Sequence, residues 1–73
     1  MSDTNRIEEV VKQVISNQME GGLPKGVAVR MLAGTANQFT ACEPSLNGYY
    51  PGLSNDDFMV IGQKLDAWIE ENS

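Results

Sequence analysis

Apolar residues between Thr4 and Met19 fall at Ile7, Val10, Val11, Val14, Ile15 and Met19. Steps of three and four place them on one side of a helix. Asp3 or Thr4 is a candidate cap, Glu8 and Glu9 suit the positive N-terminal end, and Gly21-Gly22 supply a permissive backbone for a stop. Glu8 precedes Lys12 by four residues, an order that predicts a small stabilising pair on the exposed side. The same spacing returns near the other end, at Phe58, Ile61, Leu65, Trp68 and Ile69. Ser54 or Asn55 is a natural cap for this second helix, and Asp56 and Asp57 complement its dipole. Glu70 and Glu71 lie at the unfavourable end, so the last turn is expected to fray.

The middle of the chain supports two readings. Val27, Met31, Thr35 and Phe39 lie on one four-residue ladder and Ala28, Leu32 and Ala36 on its neighbour, which predicts a helix after Pro24. Val27, Val29, Met31 and Ala33 also alternate, as in a strand, but that reading leaves Ala28 and Leu32 on the polar side. Gly26 and Gly34 weaken a helix by about 1 kcal/mol each relative to Ala, and Gly34 is a candidate break or close helix crossing. The residue before Pro44 is pushed away from helical geometry, so Glu43-Pro44 should end the element. Leu46 to Gly52 reads LNGYYPG, a segment rich in turn formers. The expected fold is therefore all-α, a single small domain of three helices at about 4–19, 24–42 and 55–71 with an aromatic loop at 43–53. The alternative is an α+β chain with a short strand or hairpin within 26–50, turning at Asn47-Gly48.

Composition narrows what such a chain does. With 73 residues there is room for one domain and a thin core, and domains of this size commonly add disulfides, a metal or a partner subunit. The single Cys, Cys42, closes no intramolecular disulfide, and without His a four-ligand zinc site is not expected. Self-association, most simply a homodimer, is the remaining route, and Ala33, Gly34 and Ala36 would permit close approach in its seam. No apolar run reaches the ~20 residues of a membrane span, and the polar first residues do not resemble a signal peptide, so a cytoplasmic location and no membrane partner are expected. A net charge of −5 repels phosphate backbones and favours basic partners over nucleic acid.

Catalytic chemistry finds little to work with. There is no His, adjacent carboxylates on a helix point about 100° apart, and Cys42 has Glu43 beside it, which opposes a thiolate. Asn55-Asp56-Asp57 lacks the alternating oxygen ligands of a calcium loop, and Gly21 to Gly26 lacks the spacing of a nucleotide-binding loop. No enzyme activity, metal or cofactor is expected. Tyr49 and Tyr50 differ in kind, since a tyrosine offers large contact area at low entropic cost and a hydroxyl for a partner. One is expected to pack and the other to meet a partner. The expected contact set is Leu46, Asn47, Tyr49, Tyr50 and Leu53. The function this implies is a small acidic interaction protein that inhibits or tethers another protein, as viral inhibitors of host enzymes do. The alternative is an oligomer that sequesters a small, nucleotide-like anion with Lys25, Arg30, Asn37 and Gln38 as recognition groups.

Overall fold

A computed structural model describes residues 2–73, with side chains from Thr4 onward. Among these residues it is entirely helical: α1 spans Ser2–Met19, α2 Lys25–Thr40, α3 Leu46–Tyr49 and α4 Asn55–Asn72. The strand and hairpin alternative is not what forms. Alternation at Val27 to Ala33 loses because a helix buries Ala28, Val29 and Leu32 together, leaving Val27 and Met31 outside.

The two end helices follow their spacing. α1 begins earlier than expected, so Thr4 lies inside it rather than capping it. It stops before Gly21-Gly22, where Gly22 takes the left-handed φ of +85°. α4 is capped by Ser54, whose hydroxyl accepts from the Asp57 amide at 3.2 Å, while the Asp57 carboxylate accepts from the Ser54 amide at 3.0 Å. This reciprocal pair satisfies two backbone donors that the first turn leaves unpaired. At the far end, Asn72 Nδ2 donates to the Trp68 carbonyl at 2.8 Å. The bond ties the last turn to the one before it, and the helix runs to Asn72 despite the acids beside it.

The end of α2 departs from expectation. Helical geometry stops at Thr40, short of Glu43-Pro44, because Cys42 adopts a left-handed φ of 54°. The Cys42 amide bonds to Phe39 O at 3.0 Å and the Glu43 amide to Gln38 O at 3.2 Å. That is a Schellman termination with cysteine where glycine usually sits. Glu43 to Tyr50 then winds through overlapping turns. The amides of Leu46, Asn47 and Gly48 bond three residues back, and the Tyr50 amide reaches Leu46 O at 2.8 Å. The turn-rich sequence thus makes the short helix α3 rather than an open loop, with Asn47-Gly48 inside it.

The core has a dry seam and a shallower flank. Leu32 and Phe39 of α2 and Phe58, Ile61 and Leu65 of α4 are the largest fully buried side chains. Ile7, Val10, Val11 and Val14 of α1 close the cluster from one side, and Leu46 and Leu53 close it from another. α2 and α4 come into close contact at Gly62. A methyl group there would strike Thr40 Cγ2, and would lie 2.9 Å from Thr40 N and 3.0 Å from Ala36 O. Gly34, expected at a crossing, has nothing within 4 Å of a Cβ position.

Two substitutions separate these roles. Gly62→Ala should lower stability by about 1 to 3 kcal/mol through overpacking. Gly34→Ala, at a helical position with open space, should raise it by up to about 1 kcal/mol. Chemical denaturation in dilute solution measures both, and equal effects would contradict the crossing.

Candidate functional site: a tyrosine ridge

Four aromatic rings connect the surface to the core. Phe58 and Phe39 are fully buried with centroids 6.0 Å apart, Tyr50 stands 5.6 Å from Phe39, and Tyr49 stands 6.4 Å from Tyr50. Tyr50 is half-buried, whereas Tyr49 is 77% exposed. Tyr50 is the tyrosine that packs, and Tyr49 is the one left exposed. Burial, followed by the neighbouring Tyr49, raises the Tyr50 phenol above its ordinary pKa, because ionisation would place charge against an apolar wall.

The turn that carries the tyrosines is held from α1. The Arg6 guanidinium donates to the Pro51 carbonyl, crossing 45 residues of sequence. Gly52 next to it has a φ of +92°, and a methyl group there would lie 2.9 Å from Arg6 Nη1. A side chain at position 52 would therefore be strained and would push the clamp aside. Cys42 Sγ lies 3.4 Å from Asn55 O, a weak contact that links the end of α2 to the start of α4 on the other flank.

Shallow hollows flank the ridge. One, of about 260 Å³, has Phe39 and Leu46 with Thr35, Gln38 and Ser45 around it; the other, of about 380 Å³, is bordered by Arg6, Glu9, Val10 and Gln13. Both are walled by Tyr49 and Tyr50. Of the expected contact set, Tyr49 and Asn47 are exposed and Tyr50 is half-buried. Leu46 and Leu53 are corrected to core residues, at 5% and 6% exposure. In a domain with so little interior, apolar side chains between helices plug its open edge.

The anion-recognition set is not gathered. Lys25, Arg30, Asn37 and Gln38 are all exposed on α2. Arg30 and Asn37 share a helix side about 10 Å apart, while Gln38 is turned about 100° from Asn37. Gln38 borders the hollow of Phe39 and Leu46, whereas Lys25, Arg30 and Asn37 border neither hollow at the ridge. Arg6 and Glu9 belong beside the ridge but carry no local signal of it, since α1 and the tyrosine turn meet only in three dimensions.

Elsewhere, Glu8 pairs with Lys64 of α4 at 2.9 Å rather than with Lys12, which contributes only a weaker field. The hydrogen bond and charge of Lys64 hold the Glu8 carboxyl below its ordinary pKa. Among the described residues no polar side chain is buried, and no three His, Cys, Asp or Glu side chains gather as a metal site. None of the helices described is long and apolar enough to cross a membrane. Comparison with known proteins finds no matching family, no matching curated relative and no matching solved structure.

Two pH effects follow. The depressed Glu8 value means that its pairing supports the fold above the unfolded carboxyl pKa, near 4.3, and is lost as pH falls through the lower folded value. Glu8→Gln should flatten the acid limb of thermal stability. For Tyr50 the sign reverses: support is present below the unfolded phenol value, about 10, and is lost as pH rises through the higher folded value. Ultraviolet titration of Tyr49→Phe, which leaves one tyrosine, should show that late ionisation. An ordinary midpoint would mean Tyr50 is not packed on Phe39.

Proposed function

We propose that this protein is a small acidic binding protein that inhibits or tethers another protein by presenting Tyr49 to it. The observation that carries this reading is the disparity between neighbouring tyrosines. Tyr50 is anchored on Phe39, while Tyr49 stands 77% exposed between two hollows on a turn clamped by Arg6. A rigid, exposed tyrosine loses little entropy on contact, and tyrosines recur among residues that dominate binding energy. The hollows beside it accept flanking side chains, and Gln38 and Ser45 offer hydrogen bonds at the rim of one.

Charge supports a basic partner surface. The net charge is −5, and Glu8 with Lys64 is the only ion pair found among the described residues. The field of the unpaired acids would speed encounter with a basic protein and repel nucleic acid. A cytoplasmic location is part of this proposal, and the lone thiol of Cys42 fits a reducing compartment. Sequestration of a small anion is the weaker reading, because Lys25, Arg30 and Asn37 do not border the hollow that Gln38 joins.

Pull-down with wild type, Tyr49→Ala and Glu70→Gln tests the proposal. A partner captured by wild type and by Glu70→Gln should be lost with Tyr49→Ala. Its affinity should fall about 30-fold or more, the effect of a dominant contact residue. Circular dichroism should not change, because Tyr49 makes little packing contact. Tyr50→Ala should instead lower stability by about 2 kcal/mol or more, as an anchored aromatic does when truncated. Retention of the same partner at full affinity by Tyr49→Ala would refute the proposal.

A further inference from the structure

Six asparagines occur in the chain, and one of them, Asn47, is followed by glycine. That order matters chemically. The backbone nitrogen after an asparagine can attack its side-chain carbonyl carbon, and a Cβ on the following residue obstructs the approach. Gly48 has none, and the space where one would stand is open. Asn47 is itself exposed, and among the described residues its side chain makes no hydrogen bond. Asn72, which precedes the small Ser73, differs in having its side-chain nitrogen engaged by the Trp68 carbonyl at 2.8 Å.

What restrains Asn47 is α3. The helical backbone holds the Gly48 nitrogen away from the preceding side chain, and its N–H is engaged by Ser45 O at 3.1 Å. Yet α3 is a single turn of four residues with no side-chain bond at its cap, Ser45. So short a helix persists only with tertiary support. Leu46 supplies it at 5% exposure, as do Tyr50, whose ring lies against Phe39, and the bond from Arg6 to Pro51 O. Asn47 and Gly48 both lie on the exposed side of this turn, so a local opening releases the Gly48 amide while the core stays closed.

We infer that Asn47 is a site of spontaneous deamidation whose rate is set by how firmly the tyrosine turn is held. The Gly48 nitrogen gives its proton to solvent base and bonds to Asn47 Cγ. The Cγ–Nδ2 bond then breaks and ammonia leaves, which closes a succinimide ring. One water opens the ring at either carbonyl, giving aspartate or isoaspartate. No electrons are transferred, and water is the co-reactant. Both products place a new carboxylate two residues before Tyr49. Isoaspartate also lengthens the main chain by a methylene, which misaligns the bonds of α3 and loosens the turn. The effect on partner grip rests on the reading of Tyr49 as the contact, whereas the conversion itself does not.

Incubation of the full chain at neutral pH and body temperature, followed by peptide mass spectrometry, tests this. Asn47 should convert to isoaspartate and aspartate while the other five asparagines persist. Isoaspartate marks the ring route, because direct hydrolysis gives aspartate alone. Arg6 is exposed, so Arg6→Gln should keep its circular dichroism. It should convert about threefold faster or more, the shift in an opening equilibrium that loss of one hydrogen bond produces. Gly48→Ala, at a helical position with open space, should keep Asn47 intact over the same period. In guanidinium chloride, wild type and Arg6→Gln should convert at one shared, faster rate. Persistence of Asn47 for as long as the other asparagines overturns the inference, as does conversion to aspartate alone. A native rate equal to the denatured one, or equal native rates for wild type and Arg6→Gln, overturns the control by the turn. None of these readouts involves a partner, so their failure is separable from failure of the Tyr49 contact.

Discussion

The closeness of α2 and α4 at Gly62 sets the dimensions of everything else. With no side chain at that position, the Thr40 backbone and the Ala36 carbonyl come within 3.0 Å of where a Cβ would stand. The largest buried residues of the two helices can then belong to one cluster across the seam. Because Thr40 is the last residue of α2, the contact also fixes where that helix delivers the chain into α3. The Schellman turn at Cys42, the packing of Leu46 and the anchoring of Tyr50 on Phe39 are built outward from it. A bulkier crossing would separate Phe39 from Phe58 and undo the aromatic series at its root.

Around that seam the molecule is graded. Buried side chains on α2 and α4 are nearly all sealed, whereas those of α1 retain 7–9% exposure. A chain of 73 residues has too little volume for three equally dry layers. The deficit is met locally: Leu46 and Leu53 fill the edge between helices, and Trp68 packs half-buried against the other end. The same scarcity leaves Val27 and Met31 outside, because α2 can turn only one side toward α4.

What was legible in the sequence was periodic. The apolar sides of α1 and α4, the Ser54 cap and the helical reading of the middle segment all rest on local spacing or local hydrogen bonding, and all are present. What escaped was decided by tertiary contact. Gly34 and Gly62 look alike in a linear sequence, yet only one lies against another helix. Glu8 had a partner four residues away, but Lys64 of α4 stands nearer and takes it. Cys42 ends α2 in a conformation that few non-glycine residues adopt, while the visible stop signal stood two residues later at Pro44. At the tyrosine ridge the aromatic residues were evident. The clamp from Arg6 and the burial of Leu46 and Leu53 were not, since no pattern along the chain links position 6 to position 51.

The Arg6 clamp ties the least buried layer to the most exposed side chain. α1 is held by apolar contacts that are buried but less completely sealed than those of α2 and α4, so it is the layer whose local opening is least opposed by burial. Each opening withdraws the guanidinium from Pro51 and frees the turn that orients Tyr49. Docking of the first helix and order at the ridge are therefore coupled through this bond. A molecule that grips the ridge would slow hydrogen exchange in α1 without touching its outer surface, and a change on the far side of α1 would alter grip at the ridge by shifting the population in which the turn is held.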